Sequence, residues 1–494
     1  RAVKYSYMDF STLRRRKSAC AREVKLNRRT APDLYLGVAP ILRTPEGPLR
    51  IGDPSIAEGQ AVNGEAVEWA VVMRRFPQEA LFDRIAEGGG LTPDLAGALA
   101  DEVRHFHDQA SRVTGRQDPH LGSARLAAVI DENAQDLAER PDLFPPARTA
   151  PYDRAVRAAW KGLAPLLDER LAQGWVRRCH GDLHLRNICL LGGRPTLFDA
   201  IEFNDAIADI DVLYDLAFLL MDLDQRELRT LANLIFNRYL RGPDDLRALA
   251  ALPCFLSCRA AIRAKVAASA EASQPSEEAR AGKRAEARQY FRAAVAYLRP
   301  QRAELVAVGG RSGSGKSSLA YRLAPELGRS PGAVVLRSDV LRKALFGVAD
   351  TTRLQPAAYD RKVTKRVFRT LQEQAATALA AGQAVIVDAV YAKPSQRAEI
   401  EAVARDLGLP FTGFWLEAPG EVLVRRVATR RGDASDATPR VVRQQLRVET
   451  GSVDWHRIDA SGPREAVAHA ARQRLVSRAR ANTRHGAGSE PPRR

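Results

Sequence analysis

The most specific chemical pattern in this sequence is a glycine-rich segment at residues 310–317, Gly-Arg-Ser-Gly-Ser-Gly-Lys-Ser. It follows an apolar, strand-like segment and opens a helical one, the setting that the motif G-x-x-x-x-G-K-[ST] requires. Glycines let backbone N–H groups turn toward phosphate oxygens, and a helix N-terminus adds positive charge. The pattern predicts ATP binding, with Lys316 on the β- and γ-phosphates and Ser317 on Mg²⁺. The expected nucleotide-binding residues are Gly310, Ser312, Gly313, Ser314, Gly315, Lys316, Ser317 and Ser318.

Two aspartates follow other apolar segments of the same region. Asp339 comes after residues 333–336 and Asp388 after residues 384–387, and open parallel sheets bind ligands at the carboxyl ends of their strands. Asp339 is a candidate to accept a proton from a substrate hydroxyl or to hold the Mg²⁺ shell; the alternative is that it caps its own helix. Asp388 has the setting of a Walker B carboxylate, which suits Mg²⁺ contact or water orientation.

Two arginines are candidates for stabilising the charge of the transferred group. Arg342 lies one helical turn after Asp339, where it would grip a substrate anion or the transferring phosphate. Arg430 lies where a charged helix breaks into a Gly/Asp/Ser loop, and an arginine on a mobile lid neutralises transition-state charge and excludes water. The alternative for Arg430 is a solvated helix end, and the other arginines of the segment 425–431 are equal candidates.

A second constellation lies at residues 179–187, Cys-His-Gly-Asp-Leu-His-Leu-Arg-Asn. Asp182 and Asn187 have the D-x-x-x-x-N spacing of a kinase catalytic loop. Asp199 follows twelve residues later, at the end of an apolar strand. This spacing predicts that Asp182 orients the substrate hydroxyl, while Asn187 and Asp199 hold Mg²⁺. His180 is expected to fix the loop, His184 could do either, and a polar turn without chemistry is the alternative.

The elements that must position these residues fall into two patterns. Residues 33–76 read as strands, residues 80–173 as helices, and short strands around 175–198 precede a helical stretch to about 300, which is a kinase-like α+β layout. From 303 strands and helices alternate, which predicts a three-layer α/β domain with a parallel sheet. The expected organisation is a kinase-like domain at 1–270, a helical linker at 271–300, a P-loop domain at 301–475 and a basic disordered tail at 476–494.

Composition narrows the setting. The sequence contains no run of about 18 apolar residues, so it predicts no membrane span. Its five cysteines are scattered and form no C-x-x-C pair, which predicts buried thiols in a reducing cytoplasm. A metal site at Cys254 and Cys258 is the minor alternative. The chain begins without Met or a signal pattern, so we expect that sequence upstream has been removed. The formal net charge of +17 attracts ATP and other anions, and leaves nucleic acid as a disfavoured partner.

The motifs also carry family resemblances. Residues 303–475 resemble the gluconate-kinase-like P-loop kinases, a group whose members act on adenylylsulfate, chloramphenicol and polynucleotide 5′ ends. The pattern H-G-D-x-H-x-x-N, followed by the strand that ends at Asp199, resembles the aminoglycoside phosphotransferase and choline kinase family over residues 1–270. This family pairs a strand lysine with a helix glutamate; Lys4 and Glu23 are the candidates here, and we expect that the family's opening strands lie upstream of Arg1. The whole chain resembles bacterial bifunctional phosphotransferase/ATP-binding proteins.

These resemblances imply an ATP- and Mg²⁺-dependent phosphotransferase that moves the γ-phosphate to a small-molecule hydroxyl, with Asp182 and Asp339 as the hydroxyl-activating groups. Two alternatives stay open. One is a regulatory module that binds or hydrolyses ATP beside a degenerate N-terminal domain. The other is a polynucleotide 5′-hydroxyl kinase. The motifs specify neither the acceptor nor the oligomeric state.

Overall fold

The computed structural model describes residues 4–5, 8–44, 47–54, 65–115, 118–430 and 432–486, without the side chains of 4–5, 8 and 478–486. The chain forms two compact units. The first comprises Arg1–Tyr239 with Ala251–Arg299, and the second comprises Leu240–Ala250 with Pro300–Arg494. Residues 271–299, expected as a linker, therefore lie inside the first unit. They form a helix that packs along its neighbour, so their charged composition reflects one solvated face.

The first unit opens with small antiparallel sheets and one helix. Strands β1 (Lys4–Tyr5) and β2 (Met8–Asp9) pair with each other, and helix α1 (Leu13–Asn27) follows. Thr12 caps α1 by accepting a hydrogen bond from the Arg15 N–H. Strands β3 (Tyr35–Arg43), β4 (Leu49–Ile51) and β5 (Glu65–Met73) form an antiparallel sheet in the order β4-β3-β5. The helix packs on this sheet through a small core that includes Val24, Leu34 and Tyr35.

The larger part of the first unit is helical, as expected. Its first helices are α2 (Phe82–Glu87), α3 (Pro93–Gln109), α4 (Leu121–Ala138) and α5 (Pro146–Ala172). Thr92 accepts a hydrogen bond from the Leu95 N–H and Pro93 opens α3, which is a favourable helix start. Short strands then frame a polar loop: β6 (Val176–Arg178), β7 (Ile188–Leu191), β8 (Arg194–Leu197) and, after α6 (Asp205–Ala208), β9 (Asp209–Asp211).

The core of the first unit is built on two helices that are apolar around most of their circumference. The sequence continues through α7 (Val212–Gln225) and α8 (Arg229–Tyr239). Helix α9 (Pro243–Ala248) belongs to the second unit, and the chain returns with α10 (Leu252–Ser269) and α11 (Glu277–Tyr297). Residues Val212–Leu223 of α7 are all buried, and so is most of α10. Helices of this kind belong to a domain interior, so the segments after them are fixed in place.

The second unit alternates strands and helices around one sheet. Its remaining elements are β10 (Leu305–Gly310), α12 (Lys316–Leu323), β11 (Val334–Arg337), α13 (Ser338–Leu345), α14 (Arg361–Ala380), β12 (Val385–Asp388), α15 (Pro394–Asp406), β13 (Phe411–Glu417), α16 (Gly420–Thr429), α17 (Pro439–Leu446), β14 (His456–Asp459) and α18 (Arg464–Gly486). The strand order is β11-β12-β10-β13-β14, and every pair is parallel. The parallel α/β fold expected from sequence is confirmed.

Two elements of the second unit differ from expectation. Strand β14 was not predicted, because His-Arg-Ile-Asp buries only Ile458 and lacks an apolar run. The tail expected to be disordered from 476 instead continues α18 to Gly486, and residues 487–494 lie outside the described part of the chain. Among the described residues, no helix has both the length and the apolar character to cross a membrane.

Candidate functional sites

The P-loop of the second unit has the backbone geometry that its glycines allow. Gly310, Gly313 and Gly315 adopt φ values of 136°, 87° and 92°, a region that side-chain-bearing residues rarely enter. Space is also limiting, since a Cβ on Gly310 would lie 2.6 Å from the Leu416 carbonyl oxygen. Helix α12 begins at Lys316, and no side chain caps its first turn. Its N-terminal N–H groups, including those of Ser317 and Ser318, are therefore available to an anion.

Lys316 and Ser317 lie beside the two aspartates that follow neighbouring strands. The Lys316 Nζ donates to the Arg311 carbonyl at 3.2 Å, and the Ser317 hydroxyl donates to Asp388 Oδ2 at 2.5 Å. Burial lowers the pKa of Lys316, against the opposing charges of Asp388 and Asp339. A phosphate group beside this ammonium would compensate for its lost hydration. A hydroxyl and a carboxylate in contact at the end of adjacent strands are oxygen donors of the kind that Mg²⁺ prefers.

Asp339 and Arg342 occupy one side of this site, on α13. Asp339 is half-buried, and desolvation together with the Asp388 charge raises the pKa of its carboxyl. Arg342 is buried; its Nη1 donates to the Ala358 carbonyl at 2.7 Å, and its guanidinium lies 4.8 Å from the centre of the Tyr359 ring. The Arg342 Nε has no hydrogen-bond partner among the described residues. The two side chains are near enough for the Asp339 charge to act on Arg342.

The loop after α16 contributes further charge, partly through a residue that sequence reasoning did not assign. Arg430 ends α16, and its Nε lies 3.6 Å from Asp433 Oδ2. Arg337, at the end of β11, donates to Asp433 at 2.8 Å and lies 3.5 Å from Asp388. The charges of both arginines act on Lys316. Arg337 precedes the noted Asp339 by two residues, but only folding shows that it faces Asp388. Arg431 lies outside the described residues.

The same loop is attached a second time, to α13. The Lys343 Nζ is fully buried and lies 3.0 Å from Asp436 Oδ1. The Oδ2 atom of Asp436 accepts hydrogen bonds from the Tyr359 hydroxyl at 2.6 Å and from the Leu354 N–H at 2.9 Å. Residues 432–437, part of the lid expected from sequence, are thus held against the helix that carries Asp339. Nothing in the local sequence signals the pairing of Lys343 with Asp436.

In the first unit, the loop at 179–187 brings Asp182 and Asn187 together. The Asn187 Nδ2 donates to Asp182 Oδ2 at 2.9 Å, and His184 Nε2 lies 3.3 Å from the same oxygen. Burial raises the pKa of the Asp182 carboxyl, but the hydrogen bond from His184 and the nearby charges of His184, His180 and Arg259 outweigh it and lower the pKa overall. Asp182 is therefore ionised at neutral pH and held in one orientation.

Helix α7 holds this loop through hydrogen bonds. Asp215 accepts hydrogen bonds from the backbone N–H groups of His180 and Gly181, each at 3.0 Å, and its Oδ2 lies 3.1 Å from His107 Nε2. The His180 Nε2 lies 2.9 Å from the Phe198 carbonyl. His107, Cys179 and Asp215 could together hold a metal, yet the imidazole and the carboxylate already serve this network. The arrangement fixes the backbone that presents Asp182.

Asp199 lies just after β8 and has a left-handed backbone conformation with φ of 63°. Its side chain stays exposed, while partial desolvation and the Asp182 charge raise the pKa of its carboxyl. Desolvation and the charges of Glu202 and Asp199 raise the pKa of Glu23 to about 7. A cation would relieve this concentration of carboxylates, so Asp199 and Asn187 fit a Mg²⁺ site. The side chain of Lys4, the weak candidate partner of Glu23, lies outside the described residues.

Comparison with known proteins matches both sites to families. A family model described as "Phosphotransferase enzyme family" matches residues 49–252, which include the loop at 179–187 and Asp199. A model described as "AAA domain" matches residues 305–450, from β10 to just past α17. The chain joins a phosphotransferase-family domain to a P-loop domain. Its two domains support a phosphotransferase and ATP-binding role, and the resemblance seen in sequence is confirmed.

Relatives extend over one or both domains. Uncharacterized proteins of Mycobacterium tuberculosis (strain H37Rv) and Mycobacterium bovis are 29% identical over 467 residues, 93% of this chain and 88% of theirs. The adenylyl-sulfate kinase of Myxococcus xanthus is 32% identical over 117 residues, 24% of this chain and 59% of that protein. A gluconokinase structure from Sinorhizobium meliloti 1021 is 22% identical, covers 39% of this chain and all of that one, and has a TM-score of 0.28.

Proposed function

We propose that the P-loop domain transfers the γ-phosphate of ATP to a hydroxyl group of a small molecule. The observation that carries this proposal is the contact between Ser317 and Asp388, with Lys316 and Asp339 beside them, at the carboxyl ends of adjacent strands. Lys316 binds the β- and γ-phosphates, and Asp339 accepts the proton of the attacking hydroxyl. The raised pKa of Asp339 brings this base closer to neutral pH, where general bases are most effective.

The positive side chains of the domain complete the chemistry. The positive charges of Arg430 and Arg337 help to lower the pKa of Lys316. From these positions the two arginines balance the charge that develops on the transferring phosphoryl group. Arg342 helps to place the acceptor beside Asp339. Ser317 and Asp388 are the residues that would hold Mg²⁺, which would supply additional neutralisation of the phosphate oxygens. The protein's contribution is positioning and electrostatics, as in other phosphoryl transfers.

The phosphotransferase domain performs a second transfer of the same type in this proposal. Asp182 orients and deprotonates an acceptor hydroxyl, and Asn187 keeps that carboxylate in place through its amide N–H. The amide oxygen of Asn187 and the carboxylate of Asp199 are the oxygens that would hold Mg²⁺. Because the pKa of Asp182 is lowered, this group acts mainly by orienting the hydroxyl and accepts its proton late in the transfer.

An acceptor screen with γ-labelled ATP on the full chain tests both assignments. Lys316→Ala is expected to remove the product of the P-loop domain, and Asp182→Ala the product of the phosphotransferase domain, each by at least about 100-fold. Lys362→Ala, which changes an exposed lysine on α14, is the matched control. Label transfer that survives both variants would refute the assignment of these sites.

The two alternative functions give different results in the same assay. A regulatory ATPase would release labelled phosphate without acceptor, and Asp339→Asn would leave that release unchanged. A polynucleotide 5′-hydroxyl kinase would label oligonucleotide ends, with binding that weakens steeply as salt rises. Loss of small-molecule labelling in Asp339→Asn with intact ATP binding supports the proposal over both.

A further inference from the structure

A cavity of about 470 Å³ opens beside Asp182 inside the phosphotransferase domain. It lies between α4 and α10 and is bounded on a third side by the segment around residues 201–210. Cavities of this size commonly hold one small organic ligand. Because Asp182 forms part of its wall, a molecule in this cavity presents its atoms directly to the proposed hydroxyl-activating carboxylate.

The wall of the cavity is mostly apolar. The apolar residues that line it include Leu126, Val129, Ile207, Phe255, Ile262 and Val266. Val266 remains 47% exposed although it is a large aliphatic residue on α10, which places apolar surface in contact with solvent. Covering such surface removes it from water and favours binding, so a ligand with an apolar body gains from this site.

Charged groups in the wall are matched within the protein. Lys265 lies 2.7 Å from Glu132 and 2.6 Å from Asp136. Asp211 receives two hydrogen bonds from Arg170, at 2.6 and 2.9 Å. These carboxylates already have cationic partners, so a polycationic ligand would have to displace Lys265 or Arg170 to gain an ion pair.

The cations of the wall are matched in the same way. Arg259 donates to the Gly181 carbonyl at 3.0 Å and lies 3.9 Å from the centre of the Tyr214 ring, and Arg125 is 3.8 Å from Asp209. Arg259 Nη2 also lies 3.8 Å from Asp215 Oδ1, so an anionic ligand would compete with a carboxylate for each of these two arginines and for Lys265. Three buried atoms of wall residues have no hydrogen-bond partner among the described residues: Asn133 Oδ1, the Tyr214 hydroxyl and Arg259 Nη2. A polar group of the ligand therefore gains hydrogen bonds there as well as at Asp182.

We infer that the acceptor of the phosphotransferase domain is an uncharged alcohol with a largely apolar body, an inference that rests on the proposed function of Asp182. The alcohol oxygen forms a bond to the γ-phosphorus of ATP as the bond to the β–γ bridging oxygen breaks. The hydroxyl proton passes to the Asp182 carboxylate, and ADP leaves. The apolar body occupies the space between α4 and α10 during the transfer.

Direct binding measured by calorimetry on the full chain tests the ligand class independently of catalysis. The probes are 2-naphthaleneethanol as the apolar alcohol and kanamycin as a polycationic one. Val129→Trp places a large side chain in the cavity and is expected to weaken 2-naphthaleneethanol binding at least about 10-fold. Ala128→Trp, on the exposed face of the same helix, is the matched control and should bind like the wild type.

A second variant changes the charge of the wall. Lys265→Ala leaves Glu132 and Asp136 without their cation, so it is expected to strengthen kanamycin binding several-fold with little effect on 2-naphthaleneethanol. Kanamycin binding to the wild type more tightly than 2-naphthaleneethanol, or equal binding of the alcohol to Val129→Trp and wild type, would overturn the inference.

Label transfer then separates the two levels of the proposal. If 2-naphthaleneethanol binds in the cavity and receives label from ATP in a reaction lost in Asp182→Ala, both the acceptor class and the proposed function are supported. If it binds there without receiving label, the ligand class stands and the assigned transfer fails. If only charged acceptors receive label through Asp182, the function stands and the apolar class is wrong.

Discussion

At the residue scale, the P-loop site depends on pairs of side chains that are distant in sequence. Ser317 and Asp388 are 71 residues apart, yet they meet at 2.5 Å. They meet because β10 and β12 are adjacent and parallel, with Val308 paired to Asp388. The carboxylate therefore sits beside the first turn of α12, where the phosphates are expected to bind.

Asp388→Asn is predicted to lower the rate of phosphoryl transfer by about 10- to 100-fold, because it removes the negative charge that supports the Mg²⁺ and the Ser317 hydroxyl. The measurement is kcat as a function of Mg²⁺ concentration. The variant should reach half of its maximal kcat only at a higher Mg²⁺ concentration than the wild type. Asp459→Asn is the control, since Asp459 ends another strand of the same sheet but is exposed. Equal rates in wild type and Asp388→Asn would contradict this role.

At the element scale, the loop at 179–187 of the phosphotransferase domain depends on α7. Asp215 is fully buried in that helix and accepts hydrogen bonds from two consecutive backbone N–H groups of the loop. Burial raises the pKa of its carboxyl, but the hydrogen bond from His107 and the charges of His107, His180 and Arg259 lower the pKa overall. The buried helix therefore restrains the backbone that carries Asp182.

Asp215→Ala is predicted to lower the free energy of unfolding of this domain by about 3 to 5 kcal/mol, since it leaves buried polar partners unpaired. A carboxyl group whose pKa is lowered on folding contributes stability above its unfolded value of about 3.9, and this contribution is lost as the pH falls through the folded value. The difference in free energy of unfolding between wild type and variant should therefore begin to shrink only as the pH falls below about 4 in denaturant titrations. Asp153→Ala, which removes a surface ion pair with Arg157, should cost under about 1 kcal/mol.

The loop after α16 is a second case at this scale. Its attachment through Asp433 and Asp436 to Arg337 and Lys343 holds residues 432–437 beside the P-loop site. Asp436→Ala removes the partner of a fully buried lysine and the acceptor of the Tyr359 hydroxyl. We predict faster trypsin cleavage after Arg430, by at least about 5-fold, because the open form becomes more populated. Unchanged cleavage would show that the attachment through Asp433 alone holds the loop.

At the scale of the whole molecule, each domain has its own buried core. The sheet core of the P-loop domain includes Val306, Ile386 and Phe414, whereas the phosphotransferase domain buries most of α7 and α10. We predict two transitions in scanning calorimetry, because chains with separate cores rarely unfold in a single step.

ATP with Mg²⁺ at 100 times its dissociation constant should stabilise the transition of the P-loop domain by about 2.7 kcal/mol. Lys316→Ala should abolish this shift and leave the other transition at its wild-type temperature. Stabilisation of the P-loop domain by ATP in the Lys316→Ala variant would contradict the assignment of Lys316 to the phosphates.

Local sequence patterns were enough to predict most of the helices and strands and the local motifs of this protein. Its P-loop, the loop at 179–187 and the strand–helix alternation after residue 303 depend on residue types at short spacings, so local steric and hydrogen-bonding rules were enough to predict them. Strand β14 was missed, and the helix predicted over residues 271–300 was taken as a linker although it packs inside the first unit, because their burial depends on neighbours from other parts of the chain. The predicted positions of Asp199 and Asp388 followed from strand ends, and those of Asp182 and Asn187 from the D-x-x-x-x-N spacing.

Only the tertiary structure decided which distant residues share a site. The contacts of Arg337 with Asp388 and Asp433 and of Lys343 with Asp436 are absent from any local pattern. The apolar cavity beside Asp182 likewise assembles from α4, α10 and the segment after Asp199. Long-range packing brings these groups together. The spacing of residues along the sequence does not show which buried charges will pair.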